Sequence, residues 1–164
     1  MVTAWLALTL STPESGCMRV VPGTHRAQVP HTDTFAETNM LSRGEEIAVT
    51  VNEDEAIDLV LAPGEMSLHH VLIFQGRPPN RASHPRIGLA IRHVPTHAHQ
   101  LDGAHGSATL VRAEDRTGQW EHERPPPTDM HLDCVAHDAA VRDRLLGTVY
   151  RVAGGKQKLS ATVV

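Results

Sequence analysis

Residues 62–93 read APGEMSLHHVLIFQGRPPNRASHPRIGLAIRH, and this stretch decides how the rest of the chain is read. Two apolar runs, 66–75 and 86–94, flank a segment dense in Pro and Asn. That pattern predicts two strands around a turn, because Pro removes a ladder donor and Asn closes turns on its own backbone. Arg86 then opens the second strand. A planar guanidinium at a strand start suits a small carboxylate held bidentately inside a barrel. An exposed loop arginine is the competing reading of the same residue.

Working outward, residues 2–10 form a β-rich apolar run, stopped by a Pro- and Gly-bearing turn at 11–16. A second short strand at 17–21 ends on the Pro-Gly pair at 22 and 23. Residues 24–44 are polar and aperiodic, which predicts a long loop of the functional or lid-like kind. Strands follow at 45–51 and 56–61, joined by an acidic turn at 52–55, and a last strand is expected at 107–112. The intervening 95–106 segment is rich in His. Residues 114–128, with three consecutive prolines at 125–127, read as extended linker. Thr128 or Asp129 is placed to cap a helix over 130–150, where Leu132, Val135, Ala139, Leu145, Leu146 and Val149 fall near helical spacing. Several short strands and then one helix predict an all-β sandwich or barrel with a C-terminal α-helix. A strand that starts at residue 2, before any polar lead, gives the expectation of a chain lacking its leading strands.

Composition narrows the function classes. The chain has 164 residues, a formal charge of -4 and 3% aromatic residues, so it offers neither a basic footprint nor stacking platforms for nucleic acid. No apolar run approaches the roughly 18 residues of a membrane span. The two cysteines, Cys17 and Cys134, are far apart and outside any metal-type spacing, which fits a reducing cytoplasm.

The ordered series WLAL (5–8), STPESGCMRVVPGTHR (11–26), LSRGEEI (41–47), PGEMSLHHVL (63–72), and Asn80-Arg81 followed by RIGLAIR (86–92) resembles the phytanoyl-CoA dioxygenase family. The likeness runs over about residues 2–115. It divides the chain into an incomplete jelly-roll core, 1–115, and a linker, helix and tail, 116–164. The resemblance implies a partial double-stranded β-helix, or jelly roll. It also implies a dioxygenase that uses Fe(II) and 2-oxoglutarate to hydroxylate a small organic substrate. Iron(II) in such a site needs two imidazoles and one carboxylate on one face. By resemblance the His-x-Asp pair precedes the strand of Trp5 and so lies before Met1, while the second His position is occupied by Gln75. Arg86 stands at the 2-oxoglutarate position, Trp5 near the cofactor and His25 at the pocket rim. An amide is a weaker donor than imidazole, so the expectation is a catalytically incomplete chain with no metal ligands of its own. The alternative is a non-catalytic β-domain that binds a small carboxylate or a protein partner.

Other histidines are weighed against that scheme. His31 and Asp33, and likewise His131 and Asp133, repeat the His-x-Asp spacing but read as solvated loop and helix-start residues. Strand alternation would put His69, Val71, Ile73 and Gln75 on one face. His69 is thus a weak metal candidate, with a hydrogen-bonded interior histidine as the plainer reading. His97, His99 and His105 form a loose tract without fixed geometry. Arg77, Arg81, Arg86 and Arg92 with His84 and His93 make the turn region positive, which favours an anionic ligand. Open strand edges give the expectation of a homodimer or a poorly soluble monomer.

Overall fold

The computed structural model describes residues 1–35, 44–100, 103 and 105–152, without the side chains of 149–152. Its strands are β1 (Val2–Ala7), β2 (Arg19–Val21), β3 (His31–Asp33), β4 (Glu45–Ile47) and β5 (Ile57–Asp58). They continue with β6 (Met66–His70), β7 (Phe74–Gly76), β8 (Gly88–His93), β9 (Gly106–Ala108) and β10 (Trp120–His122), and the chain closes on the helix α1 (Leu132–Val152). The class is the expected one, all-β with a C-terminal helix. The described residues group into two compact units, one of Met1–Pro30 with Ala48–Pro95, the other of His31–Ile47 with Thr96 onward.

The first unit is built on β1. This strand has antiparallel partners on both sides, β6 and β8, with Trp5 opposite Ser67 and Ala90, and Ala4 opposite Leu68 and Ile91. A strand paired on both edges satisfies its backbone in the ladder, which lets its side chains enter the core. Ala4, Trp5 and Ala7 are accordingly buried, together with Cys17, Val20 and Val21. A second three-stranded sheet in this unit sets β2 between β5 and β7.

The turn that leaves β1 is held from within. Ser15 Oγ accepts from Thr12 N–H at 2.9 Å, and Cys17 N–H donates to the Thr12 carbonyl at 2.9 Å. Gly16 has φ of 71°, and a Cβ there would sit 2.5 Å from the Pro78 carbonyl oxygen. Only glycine combines that left-handed backbone with so close an approach.

Several expected boundaries are corrected. The 66–75 run is not one strand: it bends at 71–73, where Ile73 N–H donates to the His70 carbonyl at 3.1 Å and Leu72 N–H to His70 Nδ1 at 3.2 Å. β6 and β7 therefore join different sheets, because an apolar run records burial and not the direction of the backbone. The alternation that aligned His69 with Gln75 does not apply. Arg86 does not open β8 but lies two residues before it. The long loop 24–44 contains a 3-10 turn at Thr24–Arg26 and the strand β3, which pairs with β4, while residues 36–43 lie outside the described residues. β4 and β5 consequently do not form a hairpin with each other.

In the second unit β9 and β10 pair in parallel, Trp120 opposite Gly106, so part of the expected linker is a strand. The connection between them turns on Asp115, whose carboxylate accepts from Thr117 N–H (2.9 Å), Thr117 Oγ1 (2.8 Å) and Gly118 N–H (3.1 Å). These bonds, with His122 at 3.0 Å, hold its carboxyl well below the usual carboxylate range. Helix α1 starts at Leu132, and the His131 carbonyl accepts from Val135 N–H, so neither Thr128 nor Asp129 is the cap. Met130, with φ of 54°, breaks the backbone just before the helix.

Candidate acid-binding site

The side chain of Arg86 lies over the indole of Trp5, with Cζ 5.3 Å from the ring centroid. At this separation the ring's negative face attracts a guanidinium by about 0.5–2 kcal/mol. Trp5 is itself fixed, because β8 begins with a residue that has no side chain. A Cβ on Gly88 would fall 2.1 Å from the ring atom Cζ2. The indole thus rests on bare backbone at Gly88 and is overlain by Arg86.

Thr9 sets the position of Arg86 along the chain. Its hydroxyl donates to the Pro85 carbonyl at 3.0 Å and accepts from Ile87 N–H at 2.8 Å, so one side chain grips both flanks of the arginine. The N–H groups of Leu8 and Thr9 both donate to the Ile87 carbonyl. The ordered backbone fixes where a long, otherwise flexible side chain departs.

Charge around the site is uneven. Asp58 is engaged by Arg19 Nε at 3.0 Å, and Glu53 approaches Arg19 at 3.5 Å. Arg86 has no carboxylate partner among the described residues. Burial, and after it the positive field of Arg77, lower the Arg86 pKa from its ordinary value, yet a guanidinium starts so high that it stays charged. The enclosed Cys17 thiol is pushed up, first by burial and then by the Asp58 carboxylate, against smaller opposing effects of Arg86 and Arg19. It remains a neutral thiol and supplies no counter-charge.

Of the residues singled out from sequence, Trp5 and Arg86 are brought together. His25 instead packs against His70, ring centroids 5.6 Å apart, beside a turn that Thr24 secures to Phe74 N–H at 2.9 Å. Gln75 is exposed on β7 opposite Val20. His69 is half-buried opposite Thr3, with Ser67 Oγ 3.4 Å from its Nδ1, and burial lowers its pKa so that it is neutral at pH 7. His31 and Asp33 lie on β3, and His131 approaches Asp133 at 4.0 Å at the helix start. Sequence reasoning missed Thr9 and Gly88. Thr9 reaches partners 76 and 78 residues away, and neither residue type carries a local signal for such a role.

A structure described as the non-heme monooxygenase ThoJ, apo form, is similar to this chain at 29% identity and TM-score 0.76, over 94% of this chain and 55% of that one. A ThoJ–Ni complex gives 24% identity and TM-score 0.68 over 92% and 51%, a likeness of fold. EvdO2 from Micromonospora carbonacea var. aurantiaca, complexed with 2-oxoglutarate, overlaps 53% of this chain and 35% of its own at 30% identity and TM-score 0.46. The chain spans about half the length of the ThoJ structures. Its fold is that of a partial jelly roll of the non-heme oxygenase type. The model of the phytanoyl-CoA dioxygenase (PhyH) family matches residues 1–88, more than half of the sequence, and the chain belongs to that family. No curated protein matches it.

The family implies a metal and 2-oxoglutarate. Among the described residues no three His, Cys, Asp or Glu side chains come together in a way that could hold a metal ion. Gln75 offers an exposed, neutral amide. These residues do not fit iron. Among the described residues Arg86 is oriented on Trp5, partly desolvated and without a carboxylate partner.

Proposed function

We propose that this chain is a phytanoyl-CoA dioxygenase-family module that holds a 2-oxoglutarate-type carboxylate on Arg86 and supplies no iron ligand set from its described residues. The observation that carries this reading is the guanidinium of Arg86 laid on Trp5 with no carboxylate partner among the described residues. In this scheme Arg86 binds the acid, Trp5 orients the donor fork and shields one side of it from water, and Thr9 fixes its origin. His25, expected at the pocket rim, has its ring against that of His70. A small organic substrate is the partner that family membership supports.

Hydroxylation by a longer polypeptide is a second reading, favoured by the 55% span of the ThoJ chain. Gln75 is internal and stays in place in that case as well. The test is calorimetric titration of the full chain with 2-oxoglutarate, with and without Arg86→Ala. Saturable binding that disappears in the variant is expected, and equal binding by both proteins overturns the assignment. Mn(II), an inert surrogate for Fe(II), is expected to show no stoichiometric uptake, and Gln75→His alone is expected to yield no succinate.

A further inference from the structure

We infer that the face of the β6-β1-β8 sheet turned away from Trp5 is the docking surface for a second copy of this chain. This surface shares no residue with the acid site.

The strand register builds the face row by row. Leu6 lies between Met66 and Leu89, Ala4 between Leu68 and Ile91, and Val2 between His70 and His93. Directly opposed residues of an antiparallel pair point to the same side, so these positions form one surface. All three strands belong to the first unit. None of the positions holds Asp, Glu, Lys or Arg, and the two histidines close one end.

Exposure gives the surface a shape. Ala4 is only 6% exposed, while Leu68 beside it is at 70% and Ile91 at 44%. A short side chain on the middle strand thus makes a furrow, with one ridge of Met66 and Leu68 and another of Leu89 and Ile91. Such a profile is complementary to itself: under a two-fold rotation a ridge of each copy enters the furrow of the other. Stacked sheets interdigitate their inner side chains in this way, about 10 Å apart.

Size and charge select the occupant. At these exposures the open apolar side chains amount to on the order of 500 Å² per copy, at the upper end of what a monomer leaves open. Two such faces reach the roughly 1,000 Å² that a specific interface needs. A foreign surface is ordinarily steered and discriminated by complementary charges, and this face offers none to read. An identical copy is admitted, because an uncharged face meets no like-charge repulsion from itself.

The test is sedimentation velocity of the full chain across roughly 1–100 µM, where small interfaces assemble. A monomer–dimer equilibrium is expected. Leu68→Lys and Ile91→Lys are each expected to weaken it about tenfold or more, since each would bury a charge without a partner. Val111→Lys, at a residue 75% exposed and outside the sheet, is the control and is expected to leave it unchanged. All three side chains are open, so the variants should fold; Leu68→Thr, which keeps a strong strand preference, replaces Leu68→Lys if its melt is not cooperative. A monomer at every concentration overturns the inference and leaves the face to a different polypeptide. A dimer that neither sheet variant weakens, or that Val111→Lys weakens as much, overturns it as well. So does open-ended growth past the dimer, which strand-edge pairing produces and a closed face-to-face contact does not.

Discussion

The two faces of the β6-β1-β8 sheet make opposite use of similar strands. On one, β1 contributes Thr3, Trp5 and Ala7, all buried, and the neighbouring strands contribute Ser67, His69 and Gly88, small or polar groups that leave room for the indole. On the other, β1 contributes Val2, Ala4 and Leu6, flanked by Met66, Leu68, Leu89 and Ile91. The larger side chains of that surface are open, with Leu68 at 70% exposure against 8% for Trp5, while Ala4 between them is itself buried. The first face is organised around one large ring and an arginine. The second is a continuous hydrophobic patch of the sort that marks an interaction surface. Hydrophobicity alone would have ranked the two faces the wrong way round, because the site face needs space and charge more than it needs apolar area.

Three substitutions probe that contrast, in descending order of effect. Trp5→Ala removes the ring that covers Gly88 and supports Arg86, and is expected to cost about 3–5 kcal/mol in urea denaturation and to abolish acid binding. A loss below about 1 kcal/mol would mean that the two faces are energetically alike. Gly88→Ala, whose new methyl meets the indole, is expected to cost about 1–3 kcal/mol and to weaken 2-oxoglutarate as the ring is displaced. Unchanged affinity and stability in that variant would show that the ring does not depend on the bare backbone. Leu68→Lys on the open face is expected to change stability by no more than about 0.5 kcal/mol. Its effect should appear in sedimentation velocity as reduced self-association, since the charge interrupts the patch; an unaltered association state would locate any dimer contact elsewhere.

The open face also bears on how much was legible. Strand alternation along β1 sorts Thr3, Trp5 and Ala7 from Val2, Ala4 and Leu6, but it carries no sign for which set a partner covers. Pattern reasoning missed β3 and β10, placed in a loop and a linker, and extended most of the strands it found by several residues, since apolar character continues past the point where ladder bonds stop. It ran β6 into β7 because residues 71–74 read as one apolar run, whereas the His70 side chain and carbonyl close a bend there. The site was half legible. Arg86 and Trp5 were visible through family resemblance, while Thr9 and Gly88 act through contacts with residues remote in sequence and leave no local trace.

By itself the sequence determined the class of fold, the family and the amide at position 75, since these depend on residue identity and order along the chain. Only the tertiary structure decided that Trp5 lies on Gly88 beneath Arg86, that Thr9 grips both flanks of the arginine, and that His25 turns to His70. Each of these is a contact between segments far apart along the chain, fixed by sheet register and close packing, and a local pattern of residues does not encode such a distance.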